Sequence, residues 1–136
     1  MRVIAFDPGK LTGYCTMQFH QYDDPTIVDL GEIKFDDLTD GAIRNITEYC
    51  THCIVERAVL TGRINQDKVT QIRATERIVF YWESIRGKVQ WINPESKKLC
   101  RAVPQFISGD HVRDAYRLLD AWRLMEDTQY IRETFD

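Results

Sequence analysis

Val3-Ile4-Ala5-Phe6 is an unbroken apolar run cut off by Asp7-Pro8-Gly9, which marks a buried strand ending at Asp7. Gly13 to Phe19 reads as a second strand, joined to the first by the tight turn Asp7-Pro8-Gly9-Lys10. After the turn Gln21-Tyr22-Asp23-Asp24-Pro25, the stretch Ile27 to Phe35 alternates well enough for a third strand with one exposed face. The period then becomes helical, with Ala42, Ile43, Ile46 and Tyr49-Cys50 following Thr39 or Asp40 as N-cap. Cys53-Ile54-Val55 is a second short apolar run, and it ends in Glu56. Val69, Ile72, Val79 and Trp82 predict a long helix from about Asn65 to Ile85, stopped by Gly87. Lys88 to Ile92 forms a fifth strand closed by Asn93-Pro94, and the basic, Pro-broken stretch 95–109 reads as loop with one helical turn. A last helix begins near Asp110, which reads as its N-cap sooner than as a ligand, and buries Val112, Ala115, Leu118-Leu119, Trp122 and Met125 along one stripe. From about residue 127 the chain is expected to fray.

Three strands, then helix, strand, helix, strand, helix, predict an α/β chain. The expected sheet is five-stranded and mixed, a three-strand antiparallel meander plus two parallel strands, with helices on both faces. In such a sheet the first and fourth strands can lie side by side, which brings Asp7 and Glu56 within reach of one ion. At 136 residues the chain is expected to be one domain with a core of its own.

Composition narrows the class. With 43% hydrophobic and 29% charged residues the chain fits a soluble globular protein, and no apolar run reaches the roughly 18 residues of a membrane span. Met1-Arg2-Val3-Ile4 leads straight into a strand with no leader-like segment, so a cytoplasmic location is expected. The net charge of −3 argues against a nucleic-acid partner only until its distribution is considered. Residues 1–53 hold 4 Lys/Arg against 9 Asp/Glu, whereas residues 54–123 hold 13 against 8. A local basic surface binds phosphate whatever the total charge, although solvated helix faces give the same count. Cys50-Thr51-His52-Cys53 has the spacing of half a zinc site, but Cys15 and Cys100 are isolated, so buried reduced thiols are the expectation.

Four side chains carry the chemistry: Asp7 and Glu56 at strand ends, and His111 with Asp114 in His111-Val112-Arg113-Asp114. Taken singly, each has an ordinary explanation. Asp7 is a turn residue, Glu56 pairs with Arg57 or Arg63, and His111 with Asp114 is a surface pair on a helix. Taken together they suggest a metal site, because a carboxylate at the end of a buried strand costs several kcal/mol to desolvate unless a cation compensates it. Carboxylates with imidazole suit Mg²⁺ or Mn²⁺, and a pair of such ions suits in-line displacement at phosphorus. His111 and Asp114 are i and i+3, so both project from one helix face.

At this point the residues match a family. Val3 to Tyr14, with its Asp7-Pro8-Gly9 turn and Gly13, resembles the opening strand and turn of the RuvC-type Holliday junction resolvases. Cys53-Ile54-Val55-Glu56 resembles their fourth strand, and Asp110-His111-Val112-Arg113-Asp114-Ala115 the start of their last helix; the spacing is closest to the short bacteriophage members. The resemblance implies an RNase H-like fold, a homodimer, and Mg²⁺-dependent paired nicking of four-way DNA junctions, with two ions per site and Mn²⁺ able to substitute. It assigns Asp7, Glu56, His111 and Asp114 as catalytic metal ligands. It makes Lys97 and Lys98 candidates for DNA contact, to which Arg57, Arg63 and Lys10 are added. Where cellular members carry an aromatic wedge, this chain offers Val59 and Leu60, and its 98–111 segment is shorter. Both departures point to relaxed specificity for four-way, three-way or forked DNA. Ile78, Tyr81-Trp82 and Ile85 suggest that the long helix pairs with its copy. The competing readings are a branched-DNA-binding protein without turnover and an actin-like phosphotransferase. The second needs two such halves, more than this chain length allows.

Overall fold

Two of the five strand-forming runs have β-rich, fully apolar centres, and these two pair in the middle of the sheet. In a computed structural model, which describes residues 1–59 and 61–135 (backbone path alone for 128–135), the strands are β1 (Arg2–Asp7), β2 (Leu11–Gln18), β3 (Thr26–Lys34), β4 (His52–Glu56) and β5 (Gln90–Ile92). Their order is β3-β2-β1-β4-β5. β1 runs antiparallel to β2 and β2 to β3, while β4 is parallel to both β1 and β5. This is the expected meander plus two parallel strands.

Register places the chemistry. Phe6 pairs with Val55, so Asp7 and Glu56 follow side by side at the same end of adjacent strands. Side chains alternate across a strand, so Val3, Ala5 and Asp7 share a face with Ile54 and Glu56. The apolar members of that set pack against Ala115, Leu118, Leu119 and Trp122 of α3 (Asp110–Phe135). Ile4, Phe6, Cys53 and Val55 point the other way, onto α1 (Asp40–Thr47) and α2 (Gln66–Ile85). Helices cover both faces.

Local chemistry sets the boundaries. The Thr39 hydroxyl accepts from the Ala42 N–H at 3.2 Å, and the Asn65 side chain accepts from the Lys68 N–H at 2.9 Å, capping α1 and α2. α2 ends before Gly87, whose φ of +109° lets the chain turn away at no steric cost. The 95–109 stretch contains the expected turn as a short 3-10 helix, Pro94–Leu99.

Several details differ from the sequence reading. The core stripe of α2 is Ala74, Thr75, Ile78 and Trp82, whereas Val69, Ile72 and Val79 are half-buried. The small Ala74 and Thr75 let the helix settle close to the sheet, which rotates the longer residues to the flank. Ile78 and Trp82 are therefore spent inside the protomer, at 0% and 2% exposure, and are not available to a second copy. The apolar side chains left outside on α2 are Phe80 and Ile85. On α3, Met125 is exposed, and the buried stripe instead includes Ala121 and Asp120. Asp110 is the first helical residue; the Arg113 N–H bonds to the Gly109 carbonyl, so Gly109 holds the cap position. The side chains of the tail expected to fray lie, beyond Asp127, outside the described residues.

Cys15, Cys50 and Cys53 are buried and Cys100 half-buried, all as thiols. Burial pushes Cys15 up to about 12 and Cys50 up to about 11, so neither is a reactive thiolate. Among the described residues no helix is long and apolar enough to cross a membrane.

Candidate active site

The sheet edge where β1 and β4 end is closed by the first turn of α3. That approach depends on Gly13, which pairs with Asp7 across the β1–β2 ladder. A Cβ on Gly13 would lie 2.1 Å from the His111 carbonyl oxygen and 2.8 Å from the Val112 nitrogen. No side chain fits there, so the bare backbone of β2 serves as the seat of the helix. A glycine inside a strand marks just such a close approach, a signal present in the sequence but given no role there.

Four donors meet at this seat. Asp7 and Glu56 are 8% and 5% exposed. His111 Nδ1 lies 3.4 Å from Asp7 Oδ2. Asp114, one turn further along α3, accepts from Arg117 Nη1 at 2.7 Å and lies 3.6 Å from Lys97 Nζ. Lys97 Nζ is also 2.9 Å from Glu56 Oε1. Glu56 thus pairs with Lys97, and neither Arg57 nor Arg63 is its partner.

The charges explain one another. Burial first, then the hydrogen bond and charge of Glu56 and the charge of Asp114, push Asp7 up to about 9, with Lys97 opposing. Burial and the neighbouring carboxylates thus favour the protonated form of Asp7 when no other cation is bound. Burial pulls the Lys97 ammonium down, but the hydrogen bond it donates to Glu56 and the charges of Glu56, Asp114 and Asp7 outweigh it and hold it above the ordinary lysine range. Among the described residues no three His, Cys, Asp or Glu side chains form a ready-made metal cage. The donors are arranged as an Asp7–His111 contact and a Glu56–Lys97–Asp114 bridge. The donor set still fits a hard divalent ion: three carboxylates and an imidazole, two of the acids nearly buried, with an ammonium now neutralising them.

The DNA-contact candidates separate. Lys97 turns inward, while Lys98 is exposed one residue away. Lys10 lies in the β1–β2 turn beside Asp7, its carbonyl accepting from the Phe35 N–H at 3.0 Å, and Arg63 is exposed in the loop that follows β4. Arg57 stacks over the Trp91 ring with 5.3 Å to the centroid. Val59 is 49% exposed, and Leu60 lies outside the described residues. Exposed Trp91 on β5, which the sequence reading did not single out, pairs with Val55 and so faces the α2 side of the sheet, away from the strand-end acids. A groove lined by Thr75, Val79, Phe80 and Trp91 runs along α2, and none of the four donors lines it.

Sequence reasoning also missed Asp120. It is 2% exposed, accepts from the Arg101 N–H at 3.0 Å and pairs with Arg123 Nη2 at 2.8 Å. It thereby ties down the chain just after the segment that carries Lys97.

No family model and no curated protein sequence matches the chain. Solved structures do. Thermus thermophilus RuvC superposes with a TM-score of 0.77 at 12% identity, over 95% of this chain and 97% of that one. The same protein in complex with a Holliday junction substrate gives 0.78 at 12% identity, covering 95% and 96%. The fowlpox virus Holliday junction resolvase gives 0.61 at 15% identity, covering 94% and 99%. At such identities the likeness is one of architecture, and over nearly its whole length this chain has the RNase H-like fold of the RuvC and poxvirus resolvases.

Proposed function

We propose that this protein is a divalent-metal-dependent endonuclease for branched DNA, acting as a homodimer and resolving four-way junctions by paired nicks. The observation that carries this reading is the meeting of Asp7, Glu56, His111 and Asp114 at one end of β1, β4 and α3, on a fold shared with proteins solved on Holliday junctions. Asp7, Glu56, His111 and Asp114 would hold Mg²⁺, or Mn²⁺ in its place, two ions per site. Bound there, the metal would supply an activated water and neutralise charge on the leaving 3′ oxygen. The chain's own part is positional. Strand-end carboxylates cannot swing away, and a misplacement of roughly 1 Å costs about a hundredfold in rate. The N-terminal turn of α3 turns its partial positive charge toward the site, where a scissile phosphate is favoured. Lys98, Lys10, Arg57 and Arg63 supply cations around the rim for the flanking backbone.

A homodimer suits the substrate, because two symmetric cuts require two sites on one rigid body. The exposed apolar residues Phe80 and Ile85 on α2, with Trp91 on β5, support a contact between copies on that side. The test is a synthetic four-way junction incubated with the native protein and Mg²⁺, beside three-way, forked and linear duplexes. Symmetric nicks in the four-way junction, absent with Asp7→Asn and absent in chelator, are expected. Binding to the junction without nicking by the native protein would leave only a DNA-binding role.

A further inference from the structure

Lys97 directs its ammonium at two of the acids assigned above to the metal. It lies 2.9 Å from Glu56 and 3.6 Å from Asp114, with its side chain 23% exposed. The Glu56 side chain is 6% exposed, so in the metal-free protein Lys97 provides the compensation that a buried carboxylate requires. An ammonium and a divalent ion cannot use the same oxygens, and at that separation they repel strongly in a partly desolvated site. Lys97 rides on the six-residue 3-10 helix Pro94–Leu99. Such short i→i+3 segments are held by weaker geometry than an α-helix and rearrange more readily.

We propose that Lys97 is an internal occupant of the metal centre, which an incoming divalent ion displaces from Glu56 and Asp114. This inference rests on the metal-site reading above and adds its regulation. Metal loading then has two results. It breaks the Lys97 bridge, and it frees an ammonium beside the α3 N-terminus, where substrate phosphate would sit. Ion binding and phosphate capture become one coupled step, and apparent metal affinity is set by how often Lys97 vacates the acids.

Two measurements on the full-length protein test the displacement. In nitrogen-15 NMR of the metal-free protein, an ion-paired lysine ammonium should give a slowly exchanging signal, assigned by its loss in Lys97→Met. Titration with Mg²⁺ should remove that signal with the midpoint found for Mg²⁺ binding by calorimetry. Lys97→Met should bind Mn²⁺ about tenfold more tightly than the native protein if the bridged form makes up at least roughly nine-tenths of the metal-free state. Lys88→Met, which removes an exposed lysine paired with Glu83, should change neither reading. A Lys97 signal that persists at saturating Mg²⁺, or a Lys97→Met affinity within twofold of native, overturns the displacement while leaving the nuclease reading intact. Failure of both native and Lys97→Met proteins to bind any divalent ion removes the metal site and this inference together.

Discussion

Asp7→Asn should make the metal-free protein more stable, by an amount that grows with pH. The Asp7 carboxyl is pushed from 3.8 in the unfolded chain to about 9 in the fold by burial and by Glu56 and Asp114. Between those values the native state keeps a proton that the unfolded chain has released. Native stability therefore falls as pH rises through this window, by up to about 1.4 kcal/mol per pH unit. Asparagine has no proton to lose, and its amide can still donate toward Glu56 as the protonated acid does. At pH 4 the two proteins should differ little, and at pH 7 the variant gains at most about 4 kcal/mol. With about 3 °C per kcal/mol for a chain of this size, the ceiling is roughly a 12 °C rise in Tm. Water entry and relaxation around the carboxyl would reduce this to several degrees. Thermal melts in chelator at pH 4, 5.5 and 7 measure it directly. Saturating Mg²⁺ should narrow or reverse the gap, because only the native site gains binding energy. A variant that melts below native at pH 7 in chelator, or a gap that is the same at pH 4 and 7, would refute the argument.

Gly13→Ala should cost at least about 1–3 kcal/mol through overpacking, and it should weaken Mn²⁺ binding more than its loss of stability explains, because the backbone it displaces, that of His111 and Val112, belongs to the turn that carries the candidate ligands His111 and Asp114; calorimetry beside thermal melts tests this. Asp120→Ala leaves the part-buried Arg123 and the Arg101 amide without their carboxylate and should destabilise the fold by up to about 3 kcal/mol in a denaturant titration. Phe80→Asp, at a position 78% exposed, should leave Tm nearly unchanged while shifting the proposed dimer toward monomer in sedimentation velocity; a monomeric native protein would refute the dimer.

Much of the site could be read from the chain because its two central acids end apolar runs. The break after Phe6 and the break after Val55 each announce where a buried strand stops, and strand adjacency follows from element order. Lys97 was less legible. Asn93-Pro94-Glu95-Ser96-Lys97-Lys98 reads as charged loop, and only the 3-10 turn decides which of two neighbouring lysines faces inward. The face of α2 was misjudged because apolar periodicity weighs large residues, whereas close approach to the sheet is governed by the small ones, Ala74 and Thr75. Asp120 sits within an apolar stripe, and its partners Arg101 and Arg123 become evident only once the preceding loop folds over α3.

The Lys97 segment is fastened at both ends, by the β5 ladder before it and by the grip of Asp120 on the Arg101 amide after it. An ammonium let go by Glu56 thus stays on a short leash and cannot diffuse into bulk solvent. Its local concentration at any phosphate held nearby remains high, as for two binding groups joined by a short linker. Slackening that leash at Asp120 should blunt the response to substrate even where the four metal-facing donors are untouched.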